Sequence, residues 1–106
     1  ADRRTDMILV GGSNVYPAEI DAALDEHPLV ASSAVIGLPH EELGNQIHAI
    51  IQPREGLNED ELHRHLAERL VSYKRPRTFE FVTENVRDDA GKVRRTALRD
   101  ERIKKS

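Results

Sequence analysis

Two apolar runs in the middle of the chain constrain its fold more than any other feature. The segment "VASSAVIGLP" predicts a buried strand from Ala31 to Gly37, and "QIHAIIQP" predicts a second strand, which Pro53 closes. Strands of this kind are covered by other elements on both faces. The sheet that they form therefore needs helices packed on it.

The N-terminal part of the chain predicts a strand, a turn and a helix. "MILV", Met7 to Val10, is a short apolar strand that Gly11-Gly12 breaks, and "SNVYP" follows as a turn. Pro17 suits the first helical position, because its missing N–H would have no intrahelical partner there. The helix stops near His27, before Pro28. Its apolar side chains recur on one face: Ile20, Ala23 and Leu24.

A second helix follows the two apolar runs. Asn58 and Glu61 have the spacing of a capping box, and a leucine stripe then predicts a helix to about Val71. "TFEFV", Thr78 to Val82, alternates like a strand, and the tail from about Thr96 predicts a short basic helix. The stripe consists of Leu62, Leu66 and Leu70.

The predicted order, β-α-β-β-α-β-α, mixes strands and helices along the chain. It indicates an α+β fold, a small mixed sheet with helices packed on it, in one domain over residues 1–106. The segment from Thr83 to Arg95 contains "DDAGK" and has little apolar content. Since nothing there demands burial, we expect an exposed, mobile loop.

Composition excludes several classes of function. The chain has 106 residues, a formal net charge of −3 and no cysteine, so it has no disulfide framework and no thiol chemistry. No global field attracts nucleic acid or membranes, and no apolar run is long enough for a membrane span. These features predict a cytoplasmic protein. The start "ADRR", without methionine, suggests either a piece of a longer polypeptide or a processed or tagged chain.

The histidines and the basic tail favour ordinary structural roles. His63 and His65 are two apart on a helix and point in different directions, so no metal site is predicted. The tail arginines and lysines could contact phosphates, but no aromatic residue is interleaved for base stacking. We therefore expect a solvated helix and no nucleic-acid partner. The basic run comprises Arg94, Arg95, Arg99, Arg102, Lys104 and Lys105.

Two short motifs have competing interpretations. "GGSN", Gly11 to Asn14, is either an ordinary tight turn or a place where a ligand approaches the backbone closely. Lys92 follows Gly91 and is either one more solvated charge or a cation that a loop delivers to a reacting carboxylate or phosphoryl group. Taken alone, each motif favours the ordinary interpretation.

Taken together, the motifs resemble a known family. "DRRTDMILVGGSNVYPAEID", Asp2 to Asp21, precedes "DDAGKVRR", residues 88–95, in an order and spacing similar to the small C-terminal domain of adenylate-forming enzymes. That superfamily includes acyl-CoA synthetases, firefly luciferase and the adenylation domains of peptide synthetases. "GGSNVYPAEI" resembles the acyl-CoA synthetase branch.

The resemblance implies a two-step reaction. A carboxylate attacks the α-phosphate of Mg·ATP to give an acyl-adenylate, and the thiolate of CoA then displaces AMP. It implies a large N-terminal adenylation domain as a partner, which would bind most of the ATP and the acid. The small domain would rotate between the steps. Fatty, aromatic and steroid-like acids remain open as substrates, because the family's acyl pocket lies on the large domain.

The family's functional residues match individual positions of this chain. Lys92 matches the adenylation lysine, and Arg3 matches the arginine that contacts the nucleotide ribose. Thr5, just before Asp6, occupies the hinge. Gly12 matches the turn that faces the CoA channel, where a side chain would obstruct the pantetheine; its neighbours in that turn are Gly11 and Ser13.

Two departures from the family pattern affect the interpretation. The hinge is commonly Asp or Lys, whereas Thr5 stands here. The lysine is preceded by "NVRDDAG", so Asp88 and Asp89 add negative charge near a site for anionic phosphate, which Arg87 and Arg94 could offset. These departures favour an alternative: a non-catalytic interaction or regulatory module that kept the fold and lost the chemistry.

Overall fold

The computed structural model describes residues 6–105. The chain order is strand, strand, helix, strand, strand, helix, 3-10 turn, strand and helix. The bounds are β1 Ile8–Val10, β2 Ser13–Val15, α1 Pro17–Asp25, β3 Val30–His40, β4 Gly44–Pro53, α2 Glu59–Ala67, a 3-10 turn Ser72–Lys74, β5 Thr78–Phe81 and α3 Arg95–Lys105.

The central sheet has the strand order β3-β4-β5. The long strands β3 and β4 pair antiparallel, and their register brings Val35 opposite Ala49 and His40 opposite Gly44. Strand β5 pairs with β4 in parallel, so the sheet is mixed. Helices lie on it, and the predicted α+β architecture is confirmed.

The main core lies between one face of this sheet and helices α1 and α2. Alternate residues of β3 and β4 point into it, because successive strand side chains face opposite sides. The sheet contributes Val35, Ile47, Ala49 and Ile51, and the helices contribute Ile20, Leu24, Leu62 and Leu66. Helix α3 packs against β3. It also contacts the other face of the sheet, because Arg102 donates two hydrogen bonds to Glu80 of β5. Glu80 in turn contacts His48 of β4.

The prediction of a turn at Ser13–Val15 was wrong, because these residues form strand β2. Gly11 and Gly12 have positive φ values of 53° and 87°, and Val10 pairs with Ser13. Two such residues make a tight hairpin turn whose twist matches that of the flanking strands. The chain therefore reverses direction within these two residues, and β2 pairs antiparallel with β1.

Helix α2 starts where the sequence predicts and ends early. The Asn58 side chain accepts a hydrogen bond from the Glu61 N–H at 2.9 Å, so it caps the helix. The helix ends at Ala67, four residues before the predicted end at Val71. Leu70 lies beyond the helix and is still part of the buried core. The leucine spacing therefore predicts burial correctly and overestimates the helix length.

The C-terminal helix is not the freely solvated basic helix that the sequence predicts. Arg95, Arg99 and Arg102 all make hydrogen bonds to the sheet or to α1. Lys104 and Lys105 are exposed. Among residues 6–105, no helix is both long enough and apolar enough to span a bilayer. Within the same range, no three His, Asp or Glu side chains are grouped to hold a metal ion.

Candidate functional site

The loop before α3 is an ordered turn built around Asp88. One oxygen of this carboxylate accepts hydrogen bonds from the N–H groups of Ala90 (3.0 Å) and Lys92 (2.9 Å). The Asp88 backbone also pairs with Gly91 and Lys92. Gly91 has φ 78°, a conformation that glycine adopts without strain. The segment 88–92 is therefore closed on itself.

Arg94 neutralises the second carboxylate oxygen of Asp88. Its Nε and Nη2 atoms both lie 2.9 Å from Asp88 Oδ2. The pKa of Asp88 is lowered, chiefly by the Lys92 N–H, with help from Ala90 and Arg94. Asp88 is thus committed to shaping the turn, and its charge is compensated locally. Asp89 is exposed.

Lys92 is exposed at the end of this turn. Its backbone is held on both sides, yet within residues 6–105 its ammonium group makes no hydrogen bond or ion pair. The charged side chains around it are paired: Arg94 with Asp88, Arg87 with Asp25, and Arg95 with Asp21. A fixed backbone therefore presents an uncommitted cation.

The prediction that nothing in this loop is buried was wrong at Val93. Val93 is 1% exposed and forms an isolated antiparallel bridge with Arg87. Arg87 donates from Nε to the carbonyl of Ser33 at 3.1 Å and from Nη2 to Asp25 at 3.1 Å. The two stems of the loop are thus paired with each other and tied to β3 and α1.

Arg95, the first residue of α3, is the most deeply held arginine of this region. Its Nη1 donates to the carbonyl of Val35 and its Nη2 to Asp21, both at 2.8 Å. Asp21 in turn accepts from the Val35 N–H at 3.0 Å. Burial raises the pKa of Asp21 to about 6, against the opposing effects of Arg95, Arg87 and the Val35 N–H.

These contacts belong to a regular pattern along the outer edge of β3. The carbonyls of Ser33, Val35 and Gly37 accept from Arg87, Arg95 and Arg99 respectively. Alternate carbonyls on one edge are roughly 6.7 Å apart, close to the rise of about 6 Å between helical residues four apart. Arg95 and Arg99 therefore match Val35 and Gly37. The arginines occupy an edge that would otherwise be free to pair with another strand.

Sequence reasoning missed this pattern. The spacing of Arg95 and Arg99, one helical turn apart, was a usable signal for two side chains on one face. The sequence did not indicate the hydrogen-bond acceptors of these two arginines, because Asp21 and the β3 carbonyls are about 60 to 74 residues away along the chain.

The glycine hairpin forms a second exposed feature. Gly11 donates its N–H to the carbonyl of Leu43 at 2.8 Å, and a Cβ at Gly11 would meet the Leu43 side chain at 3.0 Å. Asn45 donates to the carbonyl of Leu9 at 3.1 Å. At Gly12, by contrast, an added Cβ would meet nothing within 4 Å. Ser13 is half-buried on β2. The hairpin is therefore docked through Gly11, with Gly12 open to solvent.

The stems of the Lys92 loop contact the middle of β3, whereas the glycine hairpin contacts the turn that follows this strand. The loop stems contact Ser33 and Val35, whereas the hairpin contacts Leu43, which follows the last residue of the strand, His40. From Ser33 to His40 the strand rises roughly 20 Å. The structure thus separates the two predicted functional features and does not bring them into one site.

The predicted hinge lies mostly outside the described residues. Arg3 and Thr5 fall there, so their predicted roles stay predictions. Asp6 is half-exposed, and its carboxylate lies 3.9 Å from Arg95 Nε. Asp6 and Arg95 line an open groove of about 690 Å³ between β1 and the start of α3.

A comparison with known families identifies the domain. The sequence profile described as "AMP-binding enzyme C-terminal domain" matches residues 19–92. The chain belongs to this family. The match ends at Lys92, so it includes the candidate lysine and stops before α3.

Individual relatives of this AMP-binding C-terminal domain are acid-activating ligases. The fatty acid–[acyl-carrier-protein] ligase ScoC of Streptomyces coeruleorubidus is 43% identical over 93% of this chain and 20% of its own length. A long-chain-fatty-acid–CoA ligase of Yersinia pestis is 41% identical over 97% of this chain and 18% of its own. The solved Mycobacterium tuberculosis fatty acyl CoA synthetase superposes with a TM-score of 0.84 at 39% identity, covering 94% of this chain and 20% of that one.

The chain therefore spans about a fifth of the length of these relatives. The resemblance to the acyl-CoA synthetase C-terminal domain is confirmed, and so is the fold. The roles of individual residues stay predictions.

Proposed function

We propose that this chain is the mobile C-terminal domain of an ATP-dependent ligase that joins a carboxylic acid to the thiol of CoA. A large N-terminal adenylation domain would bind ATP and the acid. The single observation that carries the proposal is the uncommitted, exposed ammonium of Lys92 on a closed turn in which Asp88 is paired with Arg94. A merely solvated lysine needs no such support.

In the first step Lys92 acts as a positioned cation. A carboxylate oxygen of the acid attacks the α-phosphorus of ATP, the bond to the bridging oxygen breaks, and pyrophosphate leaves with its electrons. Negative charge is delocalised over the reacting oxygens in the transition state. A lysine ammonium held close to those oxygens stabilises them more in the transition state than in the ground state. Mg²⁺ would arrive with ATP, outside this domain.

In the second step the glycine hairpin replaces the lysine loop. The thiolate of CoA attacks the acyl carbon, the bond to the phosphate oxygen breaks, and AMP leaves. The open surface at Gly12 leaves room for a pantetheine chain. The loop stems contact Ser33 and Val35 on β3, whereas the hairpin contacts Leu43, beyond the end of that strand, so one orientation of the domain is not expected to serve both steps. The domain would rotate on the hinge at Thr5 and Asp6.

The substrate acid is proposed to be a fatty acid. This follows the three relatives named above, which are named for fatty-acid or fatty-acyl substrates. A Bacillus licheniformis relative of 41% identity is named for 2-succinylbenzoate, so aromatic acids compete as the substrate. ScoC is named for an acyl-carrier-protein acceptor, so a carrier-bound thiol is the natural competitor to CoA in any assay of the second step.

The test is acid-dependent ATP–pyrophosphate exchange by the full-length protein with a panel of fatty, aromatic and steroid-like acids. Lys92→Ala should lower exchange roughly 10²- to 10³-fold, as expected for the loss of one preorganised electrostatic contact. Thioester formation from presynthesised adenylate should stay nearly unchanged. Lys104→Ala, which removes an exposed lysine of α3, is the matched control and should alter neither step.

Two results would contradict the proposal. Equal losses in both half-reactions would remove Lys92 from the adenylation step. No exchange with any acid, from a folded protein that binds ATP, would favour the non-catalytic interaction module instead.

A further inference from the structure

Each stem of the Lys92 loop carries an arginine that donates a hydrogen bond to the same edge of strand β3. Arg87 donates to the carbonyl of Ser33 at 3.1 Å, and Arg95 donates to the carbonyl of Val35 at 2.8 Å. Because these acceptors are two residues apart on β3, they are roughly 6.7 Å apart. Residues 88–94 therefore leave and rejoin the core at neighbouring points of a single strand.

Helix α1 supplies an aspartate to each of these two arginines. Asp25 accepts from Arg87 at 3.1 Å, and Asp21 accepts from Arg95 at 2.8 Å. These two aspartates are four residues apart, so they lie on one helical face. Each aspartate also bonds the strand residue that its arginine holds: Asp21 accepts from the N–H of Val35, and Asp25 accepts from the hydroxyl of Ser33 at 3.3 Å. Two parallel aspartate–arginine–strand units thus flank the loop.

We propose that Arg87 and Arg95 are positioning residues, which hold the Lys92 loop at a fixed place relative to the core so that its ammonium is aligned for adenylation. This inference rests on the proposed function of Lys92. A lysine side chain is long and flexible, so its precision depends on the backbone from which it extends. A displacement of about 1 Å in a positioned group can cost a reaction 10²-fold.

Arg87→Gln in the full-length protein tests this role. Arg87 is the better target because its side chain is 24% exposed, whereas breaking the more deeply buried Arg95–Asp21 pair endangers folding. Arg99→Gln is the matched control: Arg99 donates to the carbonyl of Gly37 on the same edge, outside the loop. Both variants lose a hydrogen bond between an arginine and the edge of β3, and only Arg87→Gln loosens the lysine loop.

We expect Arg87→Gln to lower the turnover number of adenylation by about 10- to 100-fold, with thioester formation from presynthesised adenylate within about two-fold. Arg99→Gln should leave both half-reactions near wild type. Hydrogen exchange of the peptide that contains Lys92, followed by mass spectrometry, should become faster in Arg87→Gln and stay unchanged in Arg99→Gln.

Three results would overturn the inference. If both variants slow adenylation equally, the arginines act on the domain as a whole. If Arg87→Gln slows both half-reactions equally, its effect is not specific to Lys92. If hydrogen exchange at Lys92 is unchanged in Arg87→Gln, the loop is not anchored by this arginine. A different result would reject only the proposed function. If hydrogen exchange at Lys92 is faster in Arg87→Gln but the wild-type full-length protein makes no adenylate, Arg87 anchors the loop and the loop does not serve adenylation.

Discussion

The carboxylate of Asp21 and the guanidinium of Arg95 meet at 2.8 Å, and together they bind both backbone groups of Val35. Their side chains are 8% and 11% exposed, so the ion pair is buried. Breaking one partner of such a pair typically costs about 3–5 kcal/mol, because the other charge stays buried without compensation. The pair therefore links α1, β3 and α3 at the point where the Lys92 loop rejoins the core.

The raised pKa of Asp21 predicts a specific pH dependence of stability. A carboxyl whose folded pKa, about 6, exceeds its ordinary 3.8 binds its proton more tightly in the folded protein. Its contribution to stability is therefore greatest below about pH 4, falls as the pH rises to about 6, and is constant above that. Subtracting the unfolding free energy of Asp21→Asn from that of the wild type, across this range, isolates the effect.

The expected difference, wild type minus Asp21→Asn, declines between about pH 4 and pH 6. Contributions that both proteins share cancel in the subtraction. Since the variant leaves Arg95 buried, both proteins are measured at one fixed sucrose concentration, which favours the compact state. A difference that rises with pH would show that Arg95 and Arg87 together outweigh burial and hold the folded pKa below 3.8.

Asp88 is predicted to organise the lysine turn and not to repel substrate. Asp88→Ala removes the acceptor of the Ala90 and Lys92 N–H groups, so exchange of these amides should accelerate. The neighbouring variant Asp89→Ala removes an equal charge at an exposed position and should have no such effect. Two-dimensional NMR of the 106-residue chain measures both amides directly. Equal acceleration in the two variants would mean that charge, and not the hydrogen bonds of Asp88, orders the turn.

The elements with strong local signals were predictable from the sequence. Pro17 begins α1 and Asn58 caps α2, because each signal acts on the residues next to it. Both apolar runs form strands that extend a few residues beyond the predicted bounds, β3 from Val30 to His40 and β4 from Gly44 to Pro53. The role of Lys92, which the resemblance to the family implies, stays a prediction.

The remainder depended on contacts between distant parts of the chain. Strand β2 has three residues and no period of its own, so its state is decided by pairing with β1 after the Gly11-Gly12 turn. Leu70 continues a helical spacing although the helix has ended, because the core also accepts side chains from a following loop. The sequence predicts that Arg95 is a solvated charge, because its partner, Asp21, lies 74 residues earlier in the chain.

Gly12 separates a structural role from a functional one. Its φ of 87° is costly for any residue with a Cβ, so Gly12→Ala should lower domain stability by about 1–2 kcal/mol without a steric clash. Gly56→Ala is the matched control: its φ is 95°, the nearest atom to an added Cβ is Leu29 Cδ1 at 4.0 Å, and it lies in the loop before α2. Denaturant unfolding should give similar losses of stability for both variants, since both have the same backbone strain.

In the full-length protein, Gly12→Ala should slow thioester formation from presynthesised adenylate and leave adenylation intact. Gly56→Ala should slow neither. If the two variants behave alike in the thioester step, the hairpin is an ordinary tight turn and the CoA channel lies elsewhere.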